Sequence, residues 1–464
     1  MSQDTIPDRL LQRIEEAKEQ RLKELDLSYK YGVSNDKKLT YVPDEVFELT
    51  HLTQIDLSNN QLSTLPESIT KLTNLTQIDL SNNQLSTLPE SITKLINLTR
   101  LDLSNNQLST LPESITKLTN LTQIDLSNNQ LSTLPESITK LINLTRLDLR
   151  YNQLLILPES ITKLINLTRL DLRYNQLLTL PESFTNLPNL AQIYLSNNRL
   201  SILPKSFTNH LNSTRLDLSN NQLSTLPESI TELINLTGLD LSNNQLSTLP
   251  ESITELTNLT RIDLNNNKLV TLPKSITKLT NLTGLDFSFN KLATLPESIT
   301  KLTNLTELSL NNNKLVTLPE SIIKLTNLTG LYLRNNQIKK IPGWLAATKL
   351  NVETSFQYAS NCINLYGNPI EEPPLEVVKQ GNQAILNYYS QIAAQGKDYL
   401  YEAKMLIVGE GGAGKTTLAH KIQDNNCPLP HIDDRTKGIT INTHDFSIST
   451  QNRGTRSFIL NVWD

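Results

Sequence analysis

Several residue types are scarce in this chain of 464 residues. It has two cysteines, Cys362 and Cys427, far apart. They give neither a disulfide framework nor a zinc-ligand spacing. Glycine occupies 14 positions, less than half the ~7% usual in globular chains. Aromatic residues make up 5% and hydrophobic residues 37%, against ~45–50% apolar with glycine included. That lean supply argues against one large core and for many small, equivalent layers. Charge of either sign is not in excess: 42 Lys and Arg face 46 Asp and Glu, a net of −4. No basic field points to nucleic acid, and no acidic run points to disorder. The opening MSQDTIPDRLLQRIEEAKEQ lacks a basic segment followed by an apolar one, so it does not read as a secretion signal. No apolar run reaches the ~18 residues of a membrane span. The expectation is a reduced, cytoplasmic protein with no nucleic-acid partner. Asn-Leu-Thr, first at Asn74, Leu75 and Thr76, fits the glycosylation pattern, but without an export signal it is read as a repeat residue.

What the chain has in abundance is a repeat. The unit LTQIDLSNNQLSTLPESITKLTN recurs almost verbatim with a spacing of 23. Its first Leu stands at Leu52, Leu75, Leu98, Leu121, Leu144, Leu167 and Leu190, then from Leu236 to Leu328, with Ser213 in the one vacant slot. This is the leucine-rich-repeat pattern L-x-x-L-x-L-x-x-N-x-L. A longer unit opens the array at Leu22, Leu25 and Leu27, and another closes it at Ile363, Leu365, Asn368 and Ile370. The solenoid is therefore expected over 22–374, about fifteen units. Ile55 and Leu57 alternate with Asp56, so a short strand buries one side only. No unit can bury its Leu set alone; stacking supplies the missing wall. The Asn series from Asn60 to Asn336 is expected to be buried in the turn leaving each strand, bonded to backbone, because an unpaired buried amide costs a few kcal/mol. Leu65-Pro66 stops any helix, leaving Glu67–Leu72 a short helical piece on the outside. Strands inside and wider structure outside bend the stack into a horseshoe. A capping helix is expected over 1–21 and a capping or linker helix over 375–400.

The outward strand positions form the inner face. One column reads Asp56, Asp79, Asp102, Asp125, Asp148, Asp171, Tyr194, Asp217, Asp240, Asp263, Asp286. Adjacent strands lie ~4.8 Å apart, where like charges repel by about 1 kcal/mol in water. Arg100, Arg146, Arg169, Arg215 and Arg261 in the next column are expected to relieve that repulsion in part. Identical units cannot specify a partner, so a binding surface is sought where units differ: Arg150, Tyr151, Leu155, Arg173, Tyr174, Leu178 and Tyr194. Arg and Tyr are favoured at interface centres. A protein or peptide partner is expected there. The opposing view is a solvated ladder inherited by duplication. Ser213 reads as a weak layer.

After the array the composition changes. Met405–Val408 reads as a buried strand, followed at once by Gly409-Glu410-Gly411-Gly412-Ala413-Gly414-Lys415-Thr416 and then Thr417–Ile422, a helical stretch. This fits G-x-x-x-x-G-K-[ST] in its strand–loop–helix context. Backbone amides of Gly409, Gly411, Gly412, Ala413, Gly414 and Thr417 are expected around the phosphates of a nucleotide. Lys415 would reach the β- and γ-phosphates and the Thr416 hydroxyl would bind Mg²⁺. Strand-like Asp445–Thr450 and Phe458–Asp464 follow. The order resembles the start of a Ras-like GTPase. That resemblance implies GTP or GDP as the nucleotide, Thr436 (with Thr440 competing) as the switch residue at Mg²⁺, and Asp464 as the Asp that holds Mg²⁺ through water. Lys404–Asp464 is shorter than the ~100–150 residues of most domains. Neither the Gly of D-x-x-G nor a guanine-reading motif lies within it. The expectation is the incomplete first part of a GTPase domain over 401–464, poor in hydrolysis by itself.

Repeats, then Pro373-Pro374 with Gln380-Gly381 and Ala384–Tyr389, then the phosphate loop: this order resembles the prokaryotic Roco (Roc-COR) family. The resemblance implies an α/β chain, a leucine-rich-repeat scaffold joined to a Roc GTPase switch in signal transduction, with homodimerisation through a COR domain of a longer parent. No V-A-I-K, H-R-D or D-F-G set marks a kinase. Two other readings stand beside it. An NB-ARC- or NACHT-type signalling ATPase shares the loop but carries its repeats after it. A pure repeat-built interaction module would hold the loop as a vestige.

Overall fold

The computed structural model describes residues 6–31, 37–185, 187–205, 207, 214–356 and 361–395, and beyond them 402–406, 415, 417, 418, 421, 426, 441–450 and 454–463. Ser213 lies outside the described residues. The chain divides into two compact units, Met1–Tyr388 and Tyr389–Asp464.

In the first unit each L-x-x-L-x-L stretch yields a three-residue strand, such as Gln54–Asp56, and sixteen strands form one parallel sheet. The register equals the sequence period: Gln54, Ile55 and Asp56 partner Gln77, Ile78 and Asp79. Ile55, Leu57, Leu62, Leu65, Ile69, Leu72 and Leu75 are all buried, one layer per turn of the solenoid. Burial of each such side chain contributes about 1.5–3 kcal/mol, but only once a neighbour covers it. Pro66 fixes the entry to a short 3₁₀ helix at Glu67–Lys71, and this device recurs along the outer side. Cross-links join outer turns: the Ser160 hydroxyl donates to the Glu136 carboxylate at 2.6 Å, and Ser321 to Glu297 likewise.

The Asn series behaves as expected. Asn106 donates to the carbonyls of Leu80 (2.9 Å) and Leu103 (3.1 Å) and accepts from the Leu85 amide at 3.0 Å. Each such amide thus ties neighbouring turns together. The residue before it has a left-handed backbone, as at Asn59, Asn82 and Asn105 (φ 61°, 55°, 55°). Asn tolerates that region best after Gly.

Both edges of the sheet are closed by side chains. At the start, helix Asp8–Glu19 buries Leu10, Ile14 and Ala17, while Leu11 stays half-buried. Arg13 donates to the Asp26 carbonyl at 2.6 Å and Arg9 to that of Ser28 at 3.2 Å, which satisfies edge carbonyls that would otherwise invite another strand. At the far end the extra residues of the closing unit form a detour. Strand Asn351–Glu353 lies outside Cys362–Asn364, which itself pairs with Gly330–Tyr332. The single helix expected over 375–400 is two, Leu375–Val378 and Asn382–Gln395, broken at Gly381 with φ 92°. Asn382 donates to the Leu350 carbonyl and accepts from the Val352 amide, each at 2.8 Å.

In the second unit strand Glu402–Leu406 pairs parallel with Gly454–Trp463, and Ile441–Thr450 pairs antiparallel with the same strand. The sheet order is first, third, second. Both long strands start earlier than the apolar runs suggested.

Candidate functional site

Two places carry chemistry beyond the fold: the inner face of the solenoid around residues 146–202, and the region of the Gly-rich loop.

The inner face is built from the strand residues that point away from the core. Its Asp column is satisfied differently from expectation. Asp56 accepts the Ser58 amide at 2.8 Å, Asp79 that of Ser81 at 2.9 Å and Asp125 that of Ser127 at 2.9 Å. The carboxylates therefore stabilise the turn after each strand. Of the arginine column expected to relieve them, Arg169 alone among the described residues reaches an aspartate, Asp171 at 3.5 Å. Relief comes instead from two positions further along, where Arg replaces the usual Ser. Arg150 Nε lies 3.1 Å from Asp148. Arg173 grips Asp171 with Nε and Nη2 at 2.8 and 2.6 Å, the fork geometry that suits a carboxylate. Asp171 is fully buried beneath these groups. Burial, followed by the charges of Asp125 and Asp171, pushes the Asp148 carboxyl up to about 6. Burial also raises Asp102 and Asp263.

The structure brings the candidate binding residues together. The rings of Tyr151 and Tyr174 stack at 4.2 Å between centroids, nearly parallel at 8°. The guanidiniums of Arg169 and Arg173 lie over the Tyr194 ring at 4.9 and 5.0 Å. Tyr194 ends its strand on the inner face. Tyr151 and Tyr174 do not: they occupy the left-handed turn position held by Asn in most units, with φ 55° and 56°. That backbone costs a bulky residue more than it costs Asn. The sequence reading missed this placement, although the alignment of units puts both tyrosines at the Asn59 position. It also missed a second arginine–aromatic cluster near the end of the array. There Arg334 lies 4.6 Å from Phe356 and 5.3 Å from Tyr366. The spacing of 23 gave no cue, because Phe356 and Tyr366 lie in the irregular closing region.

At the Gly-rich loop, Gly409, Gly411, Gly412, Ala413, Gly414, Thr416, Thr436 and Asp464 lie outside the described residues. Lys415, Thr417, Leu418 and Lys421 are helical. In the parallel pair Leu406 partners Trp463, so the two strands finish at the same end of the sheet. No group of three His, Cys, Asp or Glu placed to hold a metal occurs among the described residues. No described helix is long and apolar enough to cross a membrane.

A one-layer parallel sheet with 3₁₀ turns outside and an Asn ladder between turns defines a leucine-rich-repeat solenoid. The leucine-rich-repeat family model matches overlapping segments over 20–200 and 212–349, and the chain belongs to that family. It is similar to a leucine-rich-repeat protein of Leptospira interrogans, 32% identical, with 80% of this chain and 96% of that one covered and a TM-score of 0.64. A plant peptide hormone receptor, RGFR1 in complex with RGF2, is also 32% identical, with 73% of this chain and 56% of the receptor covered and a TM-score of 0.62. Part of the chain is 40% identical over 72 residues to a Roc-COR-CHAT protease of Runella zeae. A second Roc-COR-CHAT protease, of an unknown prokaryotic organism, is 34% identical over 110 residues. These matches span 8% and 10% of the two curated relatives.

Proposed function

We propose that the chain is a protein-interaction scaffold joined to a GTP-binding switch of the Roc type, working in signal transduction. The observation that carries the reading is the Gly-rich loop with its strand neighbours. G-x-x-x-x-G-K-[ST] starts three residues after Leu406, and Asp464 follows Trp463 directly. Leu406 and Trp463 are partners in a parallel pair, and this supports the reading, because α/β folds bind ligands at the carboxyl ends of their strands. The strand order first–third–second, with the second antiparallel, is compatible with the start of a Ras-like domain. The part-length likeness to two Roc-COR-CHAT proteases points the same way, and the peptide-bound plant receptor supports a peptide or protein on the repeat face.

In this reading the loop amides, Lys415 and Thr417 would hold the phosphates, Thr416 and Thr436 would supply oxygens to Mg²⁺, and Asp464 would hold it through water. Mg²⁺ would neutralise charge on the phosphates when bound. Ordering of the segment around Thr436 by the γ-phosphate then biases contacts made by the repeat array. Titration of fluorescent GTP and ATP analogues into the chain, extended by whatever coding sequence continues past Asp464, tests the assignment. Guanine preference with loss of binding in Lys415→Ala is the expected result. Adenine preference would move the chain to the NB-ARC or NACHT type of signalling ATPase.

A further inference from the structure

The surface around residues 146–178 departs from its neighbours in a consistent direction. In the regular units the strand is followed by Ser and Asn, as at Ser127 and Asn128, and the descending segment opens with Leu-Ser, as at Leu131 and Ser132. In two successive units Ser becomes Arg150 and Arg173, Asn becomes Tyr151 and Tyr174, and the second Ser becomes Leu155 and Leu178. The framework residues of these units stay buried, and Phe184 in the place of Ile161 is the one change among them. All three changes are therefore confined to the exterior.

Their effects converge on one patch. Tyr151 and Tyr174 stack on each other yet remain 48% and 43% exposed. Leu155 and Leu178 are exposed to a similar degree and are held side by side by a backbone bond from the Leu178 amide to the Leu155 carbonyl at 3.2 Å. Four residues of extended chain separate each Tyr from its Leu, at most ~14 Å. Contiguous exposed apolar surface of this kind is a mark of binding sites. The patch is bordered by positive charge. Over the same two strands Arg146, Arg150, Arg169 and Arg173 face only Asp148 and Asp171, and the next row offers no charge at Gln192, Tyr194 and Ser196. Elsewhere on the face an Asp meets at most one Arg. The Arg150 and Arg173 side chains are 39% and 28% exposed, so their remaining N–H donors are open to a ligand carboxylate.

We propose that Arg150, Tyr151, Leu155, Arg173, Tyr174 and Leu178 seat an extended peptide segment in which an acidic side chain neighbours apolar ones. The carboxylate meets the guanidinium border, and the apolar side chains lie on the tyrosine stack and the two leucines. Charge complementarity and the mixed character of the patch select this occupant over a purely apolar segment or a basic one. The inference rests on the scaffold half of the proposed function and is independent of the nucleotide half.

The test uses the whole chain and a variant that restores the regular sequence: Arg150→Ser, Tyr151→Asn, Arg173→Ser and Tyr174→Asn. That variant copies units that already fold in this array, so its melting confirms an intact solenoid. A random displayed decapeptide library is panned on both proteins, and recovered peptides are remade with Asp and Glu replaced by Asn and Gln. The expected result is enrichment of acidic residues beside apolar ones, a loss of tenfold or more in affinity for the amide versions, and a similar loss in the restored variant. Peptides indifferent to amidation, or bound equally by the variant, overturn the proposal and leave the scaffold reading standing. Failure to recover any peptide overturns both. A wild-type chain that is dimeric where the variant is monomeric in sedimentation also overturns it, since the occupant is then a second copy.

Discussion

The repeat array and the terminal segment distribute their chemistry in opposite ways. In the array a role is repeated in every unit: Asn83, Asn106 and Asn129 each bond the same three kinds of backbone group. In the terminal segment the Gly-rich motif that ends in Lys415 and Thr416 occurs once. Repetition makes the fold robust, but it cannot encode a partner. A partner must be encoded where the repetition fails, at Arg150, Tyr151, Arg173, Tyr174 and Tyr194, or in a motif that occurs once.

The largest expected effect probes the repetition itself. Asn129→Ala leaves the Leu108 amide without its acceptor and takes one of two amide donors from each of the Leu103 and Leu126 carbonyls, which keep Asn106 and Asn152. It should cost about 2–3 kcal/mol in urea unfolding. Asn368→Ala, in the closing unit, removes the same kinds of bond, to the Leu333 and Leu365 carbonyls and from the Ile338 amide, but Asn368 is only part-buried, so water can replace them and the cost should be about half as much. Equal losses at the two positions would break the nearest-neighbour picture.

A smaller effect separates the deviating units from the regular ones. The Asp148 carboxyl titrates higher folded, at about 6, than the usual ~3.9 unfolded. The unfolded chain therefore releases this proton first, and stability falls as pH rises from about 4 to 6. Asp148→Asn should remove that slope and raise stability at pH 7.5 by on the order of 1 kcal/mol, with no gain at pH 4. A pH-independent change would contradict the burial-driven shift.

The smallest expected change is in Tyr151→Asn combined with Tyr174→Asn. Relief of two left-handed tyrosines, about 1 kcal/mol, is offset by loss of one stacked pair, about 0.5–1.5 kcal/mol. Melting should move by less than about 1 kcal/mol equivalent. A loss of several kcal/mol would make the stack a structural element and sharpen the comparison against a binding role.

The array was largely legible because a spacing of 23 maps directly onto strand register. The Leu set, the Asn ladder and the Pro-led outer turns follow from one unit. The binding candidates were legible as residue types, but not their backbone: the left-handed turn that holds Tyr151 belongs to the unit and shows only when units are superposed. The relief of the aspartate column was legible only in part: Arg169 reaches Asp171, but the Ser amides two residues on are nearer to most of the carboxylates, a local bond that charge counting overlooks. The break at Gly381 was hidden by apolar residues that keep helical spacing across it.

Differential scanning calorimetry of the chain, extended as for the nucleotide titration, with and without Mg-GTP and with wild type beside Lys415→Ala, addresses the switch most directly. The wild type should show one transition, that of the terminal unit, raised by the nucleotide, by about 2.7 kcal/mol at one hundred times Kd. Lys415→Ala should lose that rise while the array melts unchanged. Identical melting of both proteins with and without Mg-GTP would contradict the switch and leave the repeat scaffold alone.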